Sequence, residues 1–168
     1  DLDIAAKLTA ESLCVTDTTD QSLVNVNGVR LGRFNDGTSA LNGDIAEVVL
    51  FATSLKAVQE NIIHNYLSAK YDVPLTSENR YSGDDGVNGD YDWDVFGIGR
   101  ESDGSHLVAT GAELTLTGDI ESLGVGEYLL AGHGVLTNSM VTKDLPAFTD
   151  TRWERVWFVE KTGSLAGT

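Results

Sequence analysis

GDIAEVVLFATSLKAVQENIIHNYLSAKY, residues 43–71, contains the two patterns that decide the fold. Its first part, GDIAEVVLF, is a short apolar run rich in β-branched residues, which predicts a buried strand. In its second part, residues 54–71, apolar side chains recur at steps of three and four, which predicts one amphipathic helix. We expect Ser54 or Thr53 to cap this helix, and Pro74 prevents its continuation soon after Tyr71.

The rest of the chain is predicted to consist of β-strands and turns. Glycine is abundant, with 18 residues, and proline is scarce, with 2, which suits turns that need positive φ. Asn27-Gly28 predicts a hairpin before the helix. After the helix, five segments are expected to form short strands, namely 95–99, 105–110, 113–117, 128–132 and 153–161. The spacing predicts a mainly-β fold of sandwich or barrel type with one helix.

The composition limits the classes of partner. Among 168 residues, 26 are acidic and 11 are basic, which gives a formal net charge of −15. Such a surface repels phosphate backbones and anionic lipids, so we expect no nucleic-acid partner. No apolar run approaches the roughly 20 residues that cross a bilayer, so we expect no membrane insertion. Cys14 is the only cysteine; it cannot form an internal disulfide and is expected to be a small core residue.

Residues 1–75 resemble the C-terminal portion of a laminin-G-like, concanavalin-A-like jelly roll of large bacterial surface proteins. Three motifs carry the resemblance in order: the hairpin residues 26–28, residues 43–48 as the last inner strand, and residues 66–71 at the end of the helix. Asp72 stands where glycine usually ends that helix, and aspartate tolerates the left-handed conformation better than most residues. The resemblance implies missing upstream strands, because a jelly roll needs about eight.

Residues 91–168 resemble a β-rich module that follows such jelly rolls in bacterial secreted proteins. Segments 94–104, 129–134 and 152–163 carry this second resemblance, and the polar, turn-rich residues 76–90 are predicted to be a linker. The resemblance implies an extracellular or cell-surface location. Because the chain starts at Asp1 without an initiator methionine and stops just after Gly163, we expect it to be a fragment of a longer protein, truncated in its second module.

Residues 90–101, DYDWDVFGIGRE, suggest a metal site. Asp90, Asp92 and Asp94 occupy positions 1, 3 and 5 of a calcium loop, and Glu101 occupies position 12. These four acids are the candidate ligands, and Ca²⁺ is the candidate cofactor, because hard cations prefer several oxygens from one compact loop.

Two other interpretations of this segment stay open. Val95 stands at position 6, where the sharp turn of an EF-hand requires glycine, and no helix is predicted after Glu101. A different calcium site could recruit Asp84, Asp85 and Asn88. Alternatively, the segment is a solvated acidic turn that leads into a strand with aspartates on one face.

The sequence shows no catalytic motif, so no active site is predicted. His64, His106 and His133 show no zinc-binding spacing, and the chain has no G-x-S-x-G motif. His64 is expected at the flank of the helix, and the other two histidines are expected in turns. Residues 97–99, Gly-Ile-Gly, predict a strand kink or close packing rather than a nucleotide-binding loop.

The tryptophans offer two interpretations. Trp153 and Trp157 are four residues apart, so in one strand they would share a face, and we expect that face to lie in the core. Together with Trp93 they could instead form a surface for stacking on sugars.

The expected function is that of a non-catalytic extracellular surface, adhesin or structural module of a large multi-domain bacterial protein. Its role would be recognition of a glycan or protein ligand, or that of a spacer, with stabilisation by Ca²⁺. The alternatives are a carbohydrate-binding appendage of a secreted polysaccharide-degrading enzyme, and a filament subunit that accepts strands from neighbouring subunits near residues 48–51. An enzyme with its own site would need a deep pocket that joins a histidine to acids with shifted pKa.

Overall fold

The computed structural model describes residues 45–49, 51, 53–137, 139–145 and 150–162. The chain divides into two compact units, Thr16–Ser54 and a larger unit of Asp1–Val15 with Leu55–Thr168. Cys14, the hairpin predicted at Asn27-Gly28 and the motif residue Gly43 lie outside the described residues. Most of the predicted jelly-roll portion lies outside them as well.

Residues 45–49, in the smaller unit, differ from the predicted buried strand. They have no strand conformation, and Ile45, Val48 and Val49 are 43–48% exposed. Phe51 is also exposed. A buried strand needs both a hydrogen-bonded neighbour and a covering layer. These residues have neither strand conformation nor burial, so the prediction of a buried strand is wrong for the part that is described.

The larger unit contains one helix and eight strands among its described residues. Helix α1 spans Ala57–Tyr71, and the strands are β1 Trp93–Glu101, β2 Gly104–His106, β3 Val108–Thr110, β4 Thr115–Thr117, β5 Glu127–His133, β6 Met140–Val141, β7 Arg152–Trp153 and β8 Trp157–Thr162. One sheet has the order β2-β1-β5-β8, β3 pairs with β4, and β6 pairs with β7. All these pairings are antiparallel. The predicted mainly-β class with a single helix is confirmed.

The two central strands form where the sequence predicts strands. β1 and β5, predicted at 95–99 and 128–132, are both longer than expected and pair from Trp93↔His133 to Arg100↔Glu127. The segments predicted at 105–110 and 153–161 are each divided into two strands, β2 and β3, and β7 and β8. The division of the second segment decides where its tryptophans lie.

Helix α1 begins three residues later than the sequence predicts. The backbone N–H of Ala57 donates a hydrogen bond of 2.8 Å to the carboxylate of Asp103, in the turn between β1 and β2. The N–H of Lys56 donates to the side chain of Gln59 at 3.1 Å. The prediction of Ser54 or Thr53 as the cap is therefore wrong, because a carboxylate from another element satisfies the first turn.

The C-terminal end of helix α1 agrees with the sequence. Asp72 has φ 51° and ψ 44°, the left-handed conformation expected there, and its N–H donates to the carbonyl of Ser68. In the described part of the chain, no helix combines the length and the apolar character needed to cross a membrane.

The helix and the sheet share one hydrophobic core. Its buried members are Val58, Ala69, Tyr81, Val95, Tyr128 and Leu130. Tyr81 is 1% exposed although it lies within residues 76–90, which the sequence assigns to a linker. The polar residues around Tyr81 predict turns, but its side chain is held in the core by the aromatic ring of Phe158, 5.9 Å away between centroids. The structure thus places helix α1 with the following strands.

The opposite face of the sheet carries a second core. Ile98, Leu116, Leu123 and Ala131 are buried there, and the β3–β4 hairpin contributes to the cover. Gly97 and Gly99 lie on the helix side of β1, where a Cβ at Gly99 would be 2.5 Å from the ring of Tyr128. This explains residues 97–99: the two glycines leave room for side chains of β5, as close packing requires.

Candidate functional site

The acidic segment before and within β1 crowds negative charge around Asp92. Asp90 and Asp94 both have left-handed backbones, with φ of 54° and 50°. One carboxylate oxygen of Asp92, Oδ1, is buried and has no hydrogen-bond partner among the described residues. Burial raises the pKa of Asp92, and the charges of Asp90, Asp84 and Asp72 raise it further. The charged form of this side chain is therefore disfavoured in the folded protein.

A depression of about 320 Å³ lies beside the end of helix α1. It is lined by Ser68, Asp72, Val73, Pro74, Asn79, Asp84, Asp85 and Gly86. Burial is the main cause that raises the pKa of Asp84, and hydrogen bonds, including one from Ser68, oppose the increase. Asn88, the third extra ligand considered for calcium, donates to the carbonyl of Ser82 at 2.8 Å. The depression therefore carries several carboxylates, and its lining includes no histidine.

Glu101 is not brought together with the three aspartates. It ends β1, and its carboxylate accepts a hydrogen bond of 2.6 Å from the hydroxyl of Tyr128. Seven residues of strand, at about 3.3 Å each, put it roughly 20 Å from Asp94. Ligands of one calcium ion lie within about 2.6 Å of it. The four acids therefore do not form the loop that their spacing suggested, because β1 extends the chain between them.

No group of three or more histidine, cysteine or acidic residues is arranged to hold a metal ion in the described part of the chain. The structure gives the three aspartates different surroundings: Asp94 bonds to His133, Asp92 is half-buried, and Asp90 is exposed. Binding of Ca²⁺ near Asp90 and Asp92 stays a prediction.

His133 and Asp94 form a pair that the sequence did not predict. The imidazole is fully buried at the end of β5, and its Nε2 lies 2.8 Å from Oδ2 of Asp94, whose side chain is half-exposed. The ring of Trp157 stands edge-on to the imidazole at 4.7 Å. We expected His133 in a turn because glycines flank it. The strand predicted at 128–132 ends one residue before His133, so extension of that strand by a single residue would have included it.

Several other polar side chains in the core serve to connect elements. Asn65 is 1% exposed; its amide donates to the carbonyls of Asn61 and Glu78, and its oxygen accepts from the N–H of Arg80 at 2.7 Å. The hydroxyl of Tyr128 accepts from Asn61 at 2.8 Å while it donates to Glu101. Burial is the main cause that raises the pKa of Tyr128, so its hydroxyl keeps its proton.

The remaining histidines lie apart from these groups. His64 is half-buried on α1, as expected of a residue at the flank of the helix, and burial lowers its pKa while Glu60 opposes the shift. His106 lies in β2, opposite Gly99, rather than in the predicted turn.

Trp153 is more exposed than the sequence predicts, and Trp93 is exposed as well. Trp153 is 59% exposed and Trp93 is 41% exposed, whereas Trp157 packs in the second core. The prediction that Trp153 and Trp157 share a buried face is wrong, because the chain leaves strand conformation between β7 and β8. Beside Trp153, Arg152 donates to the carbonyl of Lys143 and Glu154 accepts from Ser139. The neighbours of Trp153 are thus engaged within their own hairpin.

Comparison of the chain with protein-family models, with curated proteins and with solved structures found no match. The resemblance of residues 1–75 to a jelly roll, and that of residues 91–168 to a module of secreted proteins, therefore stay predictions.

Proposed function

We propose that the chain is a non-catalytic recognition module of a multi-domain bacterial protein at the cell surface. One observation carries this proposal: the buried polar side chains connect elements to one another, while two consecutive residues, Trp93 and Asp94, are exposed at the surface.

The hydrogen bonds of the buried polar side chains connect the secondary-structure elements to one another. Asn65 joins α1 to residues 78–80, Tyr128 joins α1 to the end of β1, and the hydroxyl of Tyr81 donates to the carbonyl of Tyr91 at 2.7 Å. Satisfied polar networks of this kind make a core rigid and specify one arrangement. A rigid core on which surface residues are fixed favours recognition by pre-organised contacts.

The cell-surface location rests on the resemblance of the two halves to modules of secreted proteins. The net charge of −15 supports it to the extent that an acidic surface avoids nucleic acids and anionic lipids. Antibody labelling of intact cells that express the parent protein tests the location. Labelling that requires permeabilised cells would contradict it.

A single preparation can test recognition and catalysis together. We expect the immobilised chain to bind a surface polysaccharide or a surface protein saturably, and the bound material to be recovered unchanged. Product released in proportion to the amount of chain would refute the non-catalytic role. A spacer would show no saturable binding at all, and its removal from the parent protein would change only the reach of the flanking domains.

A carbohydrate-binding appendage of a secreted polysaccharide-degrading enzyme is the second candidate. The exposure of Trp93 favours it, because an accessible indole stacks on the apolar face of a sugar ring. Loss of activity on insoluble polysaccharide, but not on soluble fragments, after removal of this chain from the parent enzyme would identify that case.

A further inference from the structure

A β-bulge in β1 sets the position of one carboxylate. The register between β1 and β5 shifts between Trp93 and Phe96, and Asp94 lies inside the shift with φ 50°. Bulges change the direction in which a side chain points, and they occur next to functional sites more often than elsewhere. A non-glycine residue in left-handed conformation within a strand is also uncommon. The bulge therefore indicates that Asp94 is a candidate functional residue.

His133 holds that carboxylate in place. Nε2 of His133 lies 2.8 Å from Oδ2 of Asp94, so one hydrogen bond joins the two side chains. The imidazole is fully buried against Trp157 and cannot change position without disturbing the second core. Asp94 is thus anchored at one oxygen while half of its side chain faces solvent.

Trp93 supplies an apolar surface beside this carboxylate. It lies directly opposite His133 in the β1–β5 register, and cross-strand neighbours lie on the same face of a sheet. Its side chain is 41% exposed, although most large aromatic residues of the unit are packed in the two cores. An indole presents an apolar face for stacking and one N–H donor.

We propose that Trp93 and Asp94 bind a neutral sugar ring, with His133 as a positioning residue. The sugar stacks on the indole, and two neighbouring hydroxyls donate to the anchored carboxylate. This inference rests on the recognition role proposed above and assigns it a ligand class and a site. Asp90 and Asp92 follow Gly89 just before Trp93, so acidic sugars are repelled and neutral ones are preferred.

Affinity electrophoresis in gels that contain neutral polysaccharides, such as β-glucan, mannan or galactan, tests the proposal on the 168-residue chain. Alginate and polygalacturonate gels serve as acidic counterparts. We expect retardation in at least one neutral gel and in neither acidic gel. Trp93→Ala is expected to weaken the binding about tenfold or more, the loss of roughly 1.4 kcal/mol in stacking. Trp153→Ala is the matched control, because it removes a more exposed indole from another sheet, and its retardation should equal that of the unchanged chain.

Asp94→Asn provides a second variant with almost the same shape. It keeps an oxygen that can accept from His133 but removes the charge, and we expect binding to weaken several-fold while far-ultraviolet circular dichroism stays unchanged. Equal retardation of Trp93→Ala and the unchanged chain would overturn the site. No retardation in any neutral gel would overturn the sugar proposal. If the chain then bound a surface protein saturably, the recognition role would survive that result, whereas absence of every saturable binding would refute both.

Discussion

Replacement of Asn65 by leucine removes the amide that joins helix α1 to residues 78–80 and keeps the number and branching of the side-chain heavy atoms. In the folded protein the N–H of Arg80 loses an acceptor at 2.7 Å, and the carbonyl of Glu78 loses a donor at 3.0 Å. The carbonyl of Asn61 loses its bond to the same amide, at 2.7 Å. The leucine side chain would lie in a position where Asn65 is only 1% exposed.

The size of the effect follows from the surroundings of each group. The N–H of Arg80 belongs to a half-buried residue, and loss of its acceptor costs about 2 kcal/mol. The carbonyl of Glu78 belongs to an exposed residue that water can reach in part, so its loss costs about 1 kcal/mol. Burial of the leucine methyl groups offsets up to about 1 kcal/mol of this sum. We expect the free energy of unfolding to fall by about 2 kcal/mol.

Urea unfolding followed by tryptophan fluorescence measures this change. With a slope of about 2 kcal/mol per molar urea, the midpoint should fall by roughly 1 M at unchanged slope. Asn88→Leu is the matched control, because that exposed amide makes one hydrogen bond, of 2.8 Å, to the carbonyl of Ser82; its midpoint should fall by less than about half as much. Equal shifts for the two variants would refute the reasoning that burial of the Asn65 bonds sets their value.

Three further predictions concern single carboxylates. Asp103→Ala should lower the free energy of unfolding by about 1 kcal/mol, because the N–H of Ala57 loses its cap; an unchanged thermal midpoint would contradict capping from another element. Burial raises the pKa of Asp92, so its charged form opposes folding at neutral pH, and Asp92→Asn should raise the thermal midpoint there. That gain should shrink as the pH falls through the raised pKa and vanish below about pH 4, the usual pKa of aspartate. Asp119→Asn is the control of opposite sign, because a hydrogen bond from the N–H of Ser122 lowers the pKa of Asp119. The stability that Asp119 provides is present above about pH 4, and it is lost as the pH falls through the lowered pKa. The same direction of change for both variants would contradict this assignment. For calcium, EDTA should lower the thermal midpoint of the unchanged chain but not that of Asp92→Ala, and an unchanged midpoint of the original chain with EDTA would refute calcium binding.

Local patterns of the sequence predicted the elements that depend on local chemistry. Short apolar segments between glycine-containing turns predicted β1 and β5, and helix α1 ends where Asp72 adopts the left-handed conformation. The start of the helix could not be predicted in the same way. Its cap, Asp103, is 46 residues away along the chain, so no sequence window of ordinary length contains both partners.

In the candidate site, too, the spacing of residues along the sequence does not predict which of them meet in space. Asp94 and Glu101 have the separation of calcium ligands in a compact loop, but extended strand conformation carries them apart. Asp94 instead meets His133, 39 residues later, through a register shift that one residue of bulge produces. Trp153 was expected in the core because a continuous strand was assumed, and the break before Trp157 exposes it. Pairing and bulges are properties of two strands together, so neither strand alone predicts them.

Most of the non-glycine residues with left-handed backbone conformation are aspartates, so these backbone positions also add acidic side chains to the chain. Among the described residues, five non-glycine residues have positive φ, and four of them are aspartates: Asp72, Glu78, Asp90, Asp94 and Asp144. Aspartate tolerates this conformation because its short side chain bonds to nearby backbone, whereas glycine would serve the backbone equally well without a charge. Asp72 and Asp90 add charges that raise the pKa of Asp92. Glycine at position 94, however, would leave the buried imidazole of His133 without its partner. At that position the buried imidazole requires a side-chain partner that glycine lacks, and aspartate places its carboxylate there, directly after the exposed Trp93.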